Sequence, residues 1–250
     1  MKQTTDVLHG VSYNVFLGKK LDPLVTWLAR QNKLQDFYCF QEFPEDRLDI
    51  IESQLTGKNY QAIFAAGFIW RRKTYGELII FDRNKLQLKM SKTISLGGKG
   101  QLQLVFIREG HKFDVRLARI ATDRTALQAT FIYKGRKFSL VDTHLSADVH
   151  NRRKLGQAQH IVDALGASMP ALVLGDFNYP FGKGLITLMA RYGFVAAFEN
   201  LRTFRFGPGI YWQNDYIFQR NCSVDRVEMK RVSHSDHYPL FFTVSPGRGK

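Results

Sequence analysis

The run Gly175-Asp176-Phe177-Asn178 follows directly on the apolar Ala171-Leu172-Val173-Leu174, which sets a carboxylate and a carboxamide at the mouth of a buried strand. Further along, Ser235-Asp236-His237 puts a carboxylate beside an imidazole at another strand edge. Hard divalent cations take oxygen ligands, and hydrolysis of a phosphate ester needs a base, an acid and a positive centre. Few other chemistries need that combination. Five more elements fall at strand ends: Asn14 after Val11-Ser12-Tyr13, Gln41-Glu42 closing Phe37–Phe40, Tyr75-Gly76-Glu77 opening a strand, Thr143-His144-Leu145 after Val141-Asp142, and Asn214-Asp215-Tyr216 starting a late strand. Strand ends are where loops converge, so these residue types can meet around one ligand.

Apolar runs rich in Val, Ile, Phe and Tyr predict the strands that carry them: Val11–Phe16, Asp36–Gln41, Glu77–Phe81, Gln103–Ile107, Ala126–Tyr133, Lys137–Asp142, Ala171–Leu174, Asp215–Gln219 and Tyr238–Val244. Helical stripes lie between them. They are Leu21, Leu24, Val25 and Leu28; Leu48, Ile51 and Leu55; Leu155, Ala158, Ile161, Val162 and Leu165 within Asn151–Leu165; and Leu185, Leu188, Met189 and Tyr192. Tyr133-Lys134-Gly135-Arg136-Lys137 reads as a hairpin turn. Hairpins beside helices predict an α/β protein of two mixed sheets packed face to face with helices outside. No stretch reads as a linker, so residues 1–250 are expected to form one domain.

Taken in order, Asn14, Gln41-Glu42, Thr143-His144-Leu145, Gly175-Asp176-Phe177-Asn178, Asp215-Tyr216 and Ser235-Asp236-His237 resemble the motifs of the endonuclease/exonuclease/phosphatase superfamily, the deoxyribonuclease I-like group. The resemblance runs from about residue 8 to residue 244. It implies a four-layered α/β sandwich and Mg²⁺-dependent phosphoester hydrolysis, with Mn²⁺ as a substitute metal. It implies Glu42 as the main metal carboxylate, helped by Asp236 and Asn14. Asp176 would orient or deprotonate the attacking water, and Asn14 and Asn178 would aim amide donors at the phosphate. His237 would contact the phosphate with Asp215 fixing its tautomer. His144 would protonate the leaving oxygen. Glu77, two residues after Tyr75, matches the spacing of the glutamate that partners this second histidine in deoxyribonuclease I.

The 36 Lys and Arg against 22 Asp and Glu give a net charge of +14, which favours a polyanionic partner. Arg71-Arg72-Lys73 sits among aromatics in Phe68–Tyr75, a stretch expected to be a loop feeding substrate to the site. Arg152-Arg153-Lys154 and Lys134 with Arg136-Lys137 form two more basic clusters. Cations meet phosphates and aromatic faces stack on bases, so Tyr75, Arg71, Arg72, Lys73 and Arg153 are the expected substrate contacts. A second aromatic and basic segment, Arg202–Trp212, carries the Gly and Pro of a loop and either lines the groove or packs on its own.

Nucleic acid, DNA first, is the expected substrate. A lipid or inositol phosphate, an RNA deadenylation substrate, and binding without catalysis stay open. Gly97-Gly98-Lys99-Gly100 lacks the spacing of a phosphate loop and reads as a surface turn. His9, His111, His150 and His160 lack acidic company and are expected to be structural or solvated, while His234 adjoins the site motif without an assigned role. Cys39, inside an apolar run, is expected to be a buried free thiol. Met1–Asp6 lacks the apolar stretch of a signal peptide, and no apolar run of about 18 residues occurs, so the expectation is an intracellular, cytoplasmic monomer without membrane insertion.

Overall fold

A computed structural model describes residues 7–30, 34–55, 59–100, 102–109, 112–119, 122–148 and 150–247. Met1–Asp6 and His111, on which two of the sequence expectations fall, lie outside the described residues. The strands in chain order are β1 (Leu8–Asn14), β2 (Phe37–Pro44), β3 (Tyr60–Trp70), β4 (Lys73–Asp82), β5 (Gln87–Gly97), β6 (Leu102–Glu109), β7 (Lys112–Arg119), β8 (Arg124–Tyr133), β9 (Arg136–His144), β10 (Ala171–Asp176), β11 (Val195–Ala196), β12 (Phe204–Gly207), β13 (Ile210–Trp212), β14 (Asp215–Arg220), β15 (Cys222–Met229) and β16 (Leu240–Pro246). The helices are α1 (Leu21–Ala29), α2 (Leu48–Leu55), α3 (Asn151–Ala164) and α4 (Lys183–Arg191).

Two six-stranded sheets form. The first runs β15-β16-β1-β2-β4-β3 and the second β11-β14-β10-β9-β8-β5. Each is mixed by one central parallel pair, β1 with β2 and β9 with β10, among antiparallel neighbours. One apolar cluster fills the space between the sheets, including Phe37, Cys39, Ile79, Phe81, Leu127, Phe131, Leu140, Leu174 and Phe242. Phe81 and Phe131 meet edge to face there, with ring centroids 4.8 Å apart. Outside the second sheet, Val141, Val173 and Phe218 pack on Ala158, Ile161 and Val162 of α3 and on Leu185 and Met189 of α4. Outside the first, Val11, Phe40 and Ile80 pack on Leu21, Leu24 and Val25 of α1 and on Ile51 of α2. The order helix, sheet, sheet, helix is the expected four-layered sandwich.

The inter-sheet layer changes character along its length, because alternate residues of a strand share one face. That face of β9 reads Phe138, Leu140, Asp142, His144, and of β10 it reads Leu172, Leu174, Asp176. Across the gap, β1 presents Ser12 and Asn14, β2 presents Phe37, Cys39 and Gln41, and β4 presents Phe81, Ile79 and Glu77. The polar ends all lie at the same rim. There Gln41 Nε2 donates to Asp142 Oδ1 across the sheets at 2.6 Å, and Asn14 Nδ2 donates to Asp176 Oδ2 at 2.9 Å. A buried polar group costs free energy unless it is bonded, so this seam locks the two sheets in register where the apolar core gives out.

Several element boundaries differ from the expectation. Phe68–Tyr75 is no loop: Phe68–Trp70 ends β3, Lys73–Tyr75 begins β4, and Arg71 and Arg72, with φ of 48° and 65°, make the tight turn of a hairpin. Arg202–Trp212 carries the hairpin of β12 and β13. Strand β3 lacks the alternation that would reveal it in the sequence, and that of β15 is broken at a bulge between Asp225 and Glu228. Among the expected structural histidines, the His9 backbone N–H is held by Asp36, and His150 and His160 are exposed. Cys39 is buried and free. Gly97–Gly100 forms a turn after β5, with Lys99 N–H held by Asp123.

Candidate active site

At the polar rim, β9 and β10 end together, with His144 and Asp176 paired in register, and Asp215 at the start of β14 pairs with Asp176 from the other side. This tight approach depends on Gly175, whose φ is +128°; a Cβ there would lie 2.1 Å from the Thr143 carbonyl oxygen. On the facing sheet, Asn14 ends β1 beside Gln41 of β2. Glu42 was expected at a strand end, but β2 runs on to Pro44. A bulge between Phe40 and Phe43, with Glu42 at φ 58°, turns that side chain toward the rim.

Asn14 bridges the two sheets' carboxylates. Its Nδ2 donates to Asp176 Oδ2 at 2.9 Å and to Glu42 Oε1 at 3.1 Å, while its Oδ1 accepts from Phe16 N–H. Both amide hydrogens are therefore spent on acids, where the sequence led us to expect a donor aimed at phosphate. Asn178 departs likewise: its Nδ2 donates to the Leu145 carbonyl at 3.0 Å, and its backbone N–H to Asp176 Oδ1 at 2.8 Å. It fixes the aspartate. Ser235 accepts the His237 backbone N–H and donates to the Asn14 carbonyl at 2.8 Å, tying the last motif to the first. Asp236 stands partly exposed at the rim.

His237 Nδ1 lies 2.9 Å from Asp215 Oδ2, and its Nε2 lies 3.5 Å from Asp176 Oδ2. Burial alone would lower its pKa, but the charges of Asp215 and Asp176 overcome this and hold it at about 10, so the ring is a cation at neutral pH. The Phe204 ring packs against it at 4.7 Å. His144 sits across the site, its Nε2 3.7 Å from both Glu42 Oε1 and Asp176 Oδ2. Burial, then the Arg124 and His237 cations, push its pKa well below the ordinary value.

The expected Glu77 partnership takes a different form. Glu77 is buried and accepts from Thr125 Oγ1 at 3.0 Å, and burial first, then the Asp142 charge, raises its pKa well above the carboxylate range. The contact at His144 Nδ1 is Arg124 Nη1, at 3.3 Å. The sequence reading missed Arg124 and Thr125, although the β8–β9 turn was legible. Counting outward from Lys134-Gly135 brings Thr125 opposite His144. Lys154, read from the sequence only as a member of a basic cluster, is buried on α3 and donates to the Asn178 carbonyl at 2.5 Å. Gln157, buried on the same helix, holds the Ser146 backbone N–H at 2.9 Å.

Among the expected substrate contacts, Tyr75 is buried with its ring stacked on Phe68, while Arg71, Arg72 and Lys73 are exposed at the hairpin tip. Lys73 pairs with Asp46 at 2.7 Å, and Arg153 pairs with the buried Asp148, which spends part of both charges.

One ligand atom from each of Glu42, His144 and Asp176 lies within 4.8 Å of the others. Burial and then Asp236's charge raise the Glu42 pKa. Asp176 is pushed up to about 7, burial first, with His237 opposing and the Asp215 and Glu42 charges adding. Crowded, desolvated carboxylate oxygens are the donor set that a hard divalent cation would relieve.

This chain is similar over nearly its whole length to solved structures of one fold. It covers 96% of itself and 95% of the human Nocturnin catalytic domain at 20% identity, TM-score 0.72. For D. rerio TDP2 complexed with single strand DNA product, the figures are 96% and 99% at 15% identity, TM-score 0.69. For a mannosyl-6-phosphatase from Bacteroides thetaiotaomicron they are 95% and 99% at 15% identity, TM-score 0.69. Likeness at these identities establishes the fold. No curated protein matches the chain. The model of the Endonuclease/Exonuclease/phosphatase family, whose members are hydrolases of phosphoester bonds, matches residues 11–237. With that match spanning every motif described above, the chain belongs to the endonuclease/exonuclease/phosphatase family.

Proposed function

We propose that this protein is a divalent-metal-dependent phosphodiesterase of nucleic acid, with DNA as its substrate. The observation that carries the reading is the rim itself: one amide, Asn14, joins two carboxylates from opposite sheets, and a cationic His237 lies 3.5 Å from one of them. Glu42, with Asp236 and Asn14, would hold Mg²⁺, which when bound supplies positive charge to the phosphoryl oxygens. Asp176 Oδ2 faces the space between the imidazoles and orients the attacking water, accepting its proton. His237, held by Asp215, donates to an oxygen on which charge develops. His144, on the strand beside Asp176's, presents Nε2 to the same space. Arg71 and Arg72, exposed at the hairpin tip, lie a few residues along the chain from Tyr75 and suit a phosphate backbone.

The charge of +14 supports a polyanion over a small neutral ester. The fold's likeness to TDP2, solved with a single strand DNA product, supports DNA. Among the described residues no helix is long and apolar enough to cross a membrane. The test is incubation with plasmid and single-stranded oligonucleotides, with Mg²⁺ or with EDTA. Cleavage with Mg²⁺ and none with EDTA is expected. No cleavage under any divalent metal, together with phosphate release from an inositol phosphate or a phospholipid, overturns the nucleic-acid assignment.

A further inference from the structure

We propose that Arg124 is a positioning residue that fixes the tautomer of His144, placing the imidazole proton on Nε2 and making that nitrogen a hydrogen-bond donor to substrate instead of a metal ligand. The proposal rests on the reading of the rim as a phosphoester-hydrolysing site.

A guanidinium has five N–H donors, no acceptor, and stays protonated. Its Nη1 lies 3.3 Å from His144 Nδ1, so Nδ1 is the acceptor in that contact. A neutral imidazole that accepts at Nδ1 carries its hydrogen on Nε2. The pose is enforced on several sides. Arg124 opens β8 and is buried, with its guanidinium 4.3 Å over the Phe68 ring. Phe68 in turn meets His144 edge to face, at 5.7 Å and 76°, and stacks on Tyr75 at 5.5 Å. Tyr75, Phe68, Arg124 and His144 thus form one packed group, and the imidazole cannot turn without disturbing it.

The consequence reaches the metal. Nε2 stands 3.7 Å from Glu42 Oε1 and from Asp176 Oδ2, a spacing that could suggest three ligands around one cation. A ring nitrogen that bears hydrogen has no lone pair to give. For Nε2 to ligate, Nδ1 would have to carry the proton, and it would then point a second donor at Arg124. The seat therefore leaves metal binding to oxygen ligands and reserves Nε2–H for an oxygen of the substrate.

Long-range ¹H–¹⁵N correlation spectra of the metal-free protein with ¹⁵N-labelled imidazoles test this, with the His144 signals assigned by their loss in His144→Gln. Wild type is expected to show His144 protonated on Nε2 and bare on Nδ1. Arg124→Met, which keeps the volume and removes the donor, should shift the population toward Nδ1–H and lower kcat about tenfold or more with a smaller change in KM. Arg124→Lys should recover both in part. Wild-type His144 protonated on Nδ1 overturns the proposal, as does an Arg124→Met protein with unchanged tautomer and unchanged kcat. The wild-type spectrum decides the matter even where Arg124→Met does not fold. It does so independently of whether nucleic acid proves to be the substrate, since no turnover enters the reading.

Discussion

His237, on the segment leading into β16, and His144, on the strand beside Asp176's own, flank the same aspartate with Nε2 atoms 3.5 Å and 3.7 Å from Asp176 Oδ2, and yet one is a cation and the other neutral. Both are buried, and burial disfavours the imidazolium of each. The difference lies at the far nitrogen. His237 Nδ1 meets the Asp215 carboxylate and His144 Nδ1 meets the Arg124 guanidinium. A carboxylate turns its histidine into a cation, while a guanidinium keeps its neighbour neutral. In the mechanism proposed above this gives the two rings separate tasks, a fixed positive charge on one side of the phosphate and a neutral donor on the other.

The sharpest way to break this comparison is to remove the charged side of it. His237→Ala and Asp176→Ala should each lower kcat by about 10²–10⁴-fold, the range for a positioned proton-transfer group. Steady-state kinetics on an oligonucleotide substrate measures this, and near wild-type rates in both variants would show the site to be elsewhere. Next in size is Asp215→Asn, which keeps the shape but removes the charge that holds His237. A loss of about 1–3 kcal/mol of transition-state stabilisation is expected, the cost of a buried group left with a poorer partner. A variant indistinguishable from wild type would mean that His237 needs no anchor.

A smaller effect separates Glu77 from Arg124. Because Glu77 reaches Thr125 and not the imidazole, Glu77→Gln should keep kcat within about tenfold of wild type, since the amide can still accept from Thr125 Oγ1. A loss as large as that of His237→Ala would restore Glu77 to the role expected from its spacing after Tyr75.

The contrast between the two histidines also marks where sequence reading succeeds. The Asp215–His237 pair was legible because both residues sit in short motifs beside strand ends, and the strands carrying them are apolar runs that periodicity finds. The four layers followed from the same runs. Arg124 was not legible by motif, since nothing local distinguishes an arginine that opens a strand from a surface charge. Hairpin register puts its neighbour Thr125 opposite His144 and so brings Arg124 one residue from that position, but the count from the Lys134-Gly135 turn can be made only once β8 and β9 are known to pair, and it does not give the side-chain contact. The Phe68–Tyr75 stretch misled for a related reason: two arginines and a lysine among aromatics look like a loop, while their left-handed backbone makes a turn that needs no glycine. Asn14 and Asn178 were found, but their partners within the fold (Asp176 and Glu42 for the first, the Leu145 carbonyl for the second) were not legible, because residue type gives donor capacity and only geometry gives direction.

The subtlest test concerns the acid behind His144. Asp142 shares the inward face of β9 with it, accepts from Gln41 across the sheets at 2.6 Å, and has no partner for Oδ2 among the described residues. Burial pushes its pKa well above the ordinary 3.8, and the Gln41 amide and Thr143 backbone offset this only in part. An acid whose pKa is raised in the folded state takes up a proton on folding. Its contribution is therefore full below the ordinary carboxyl range and is lost as pH rises toward and through the folded value, at about 1.4 kcal/mol per pH unit. Asp142→Asn keeps an acceptor for Gln41 and cannot ionise, so it removes that slope. Chemical denaturation from about pH 4 to about pH 8 should show wild type losing more stability than the variant across the interval, with the variant at least as stable at the alkaline end. Parallel curves would mean that Asp142 keeps its charge inside the fold, which would require the seam to hold a carboxylate there as readily as water does.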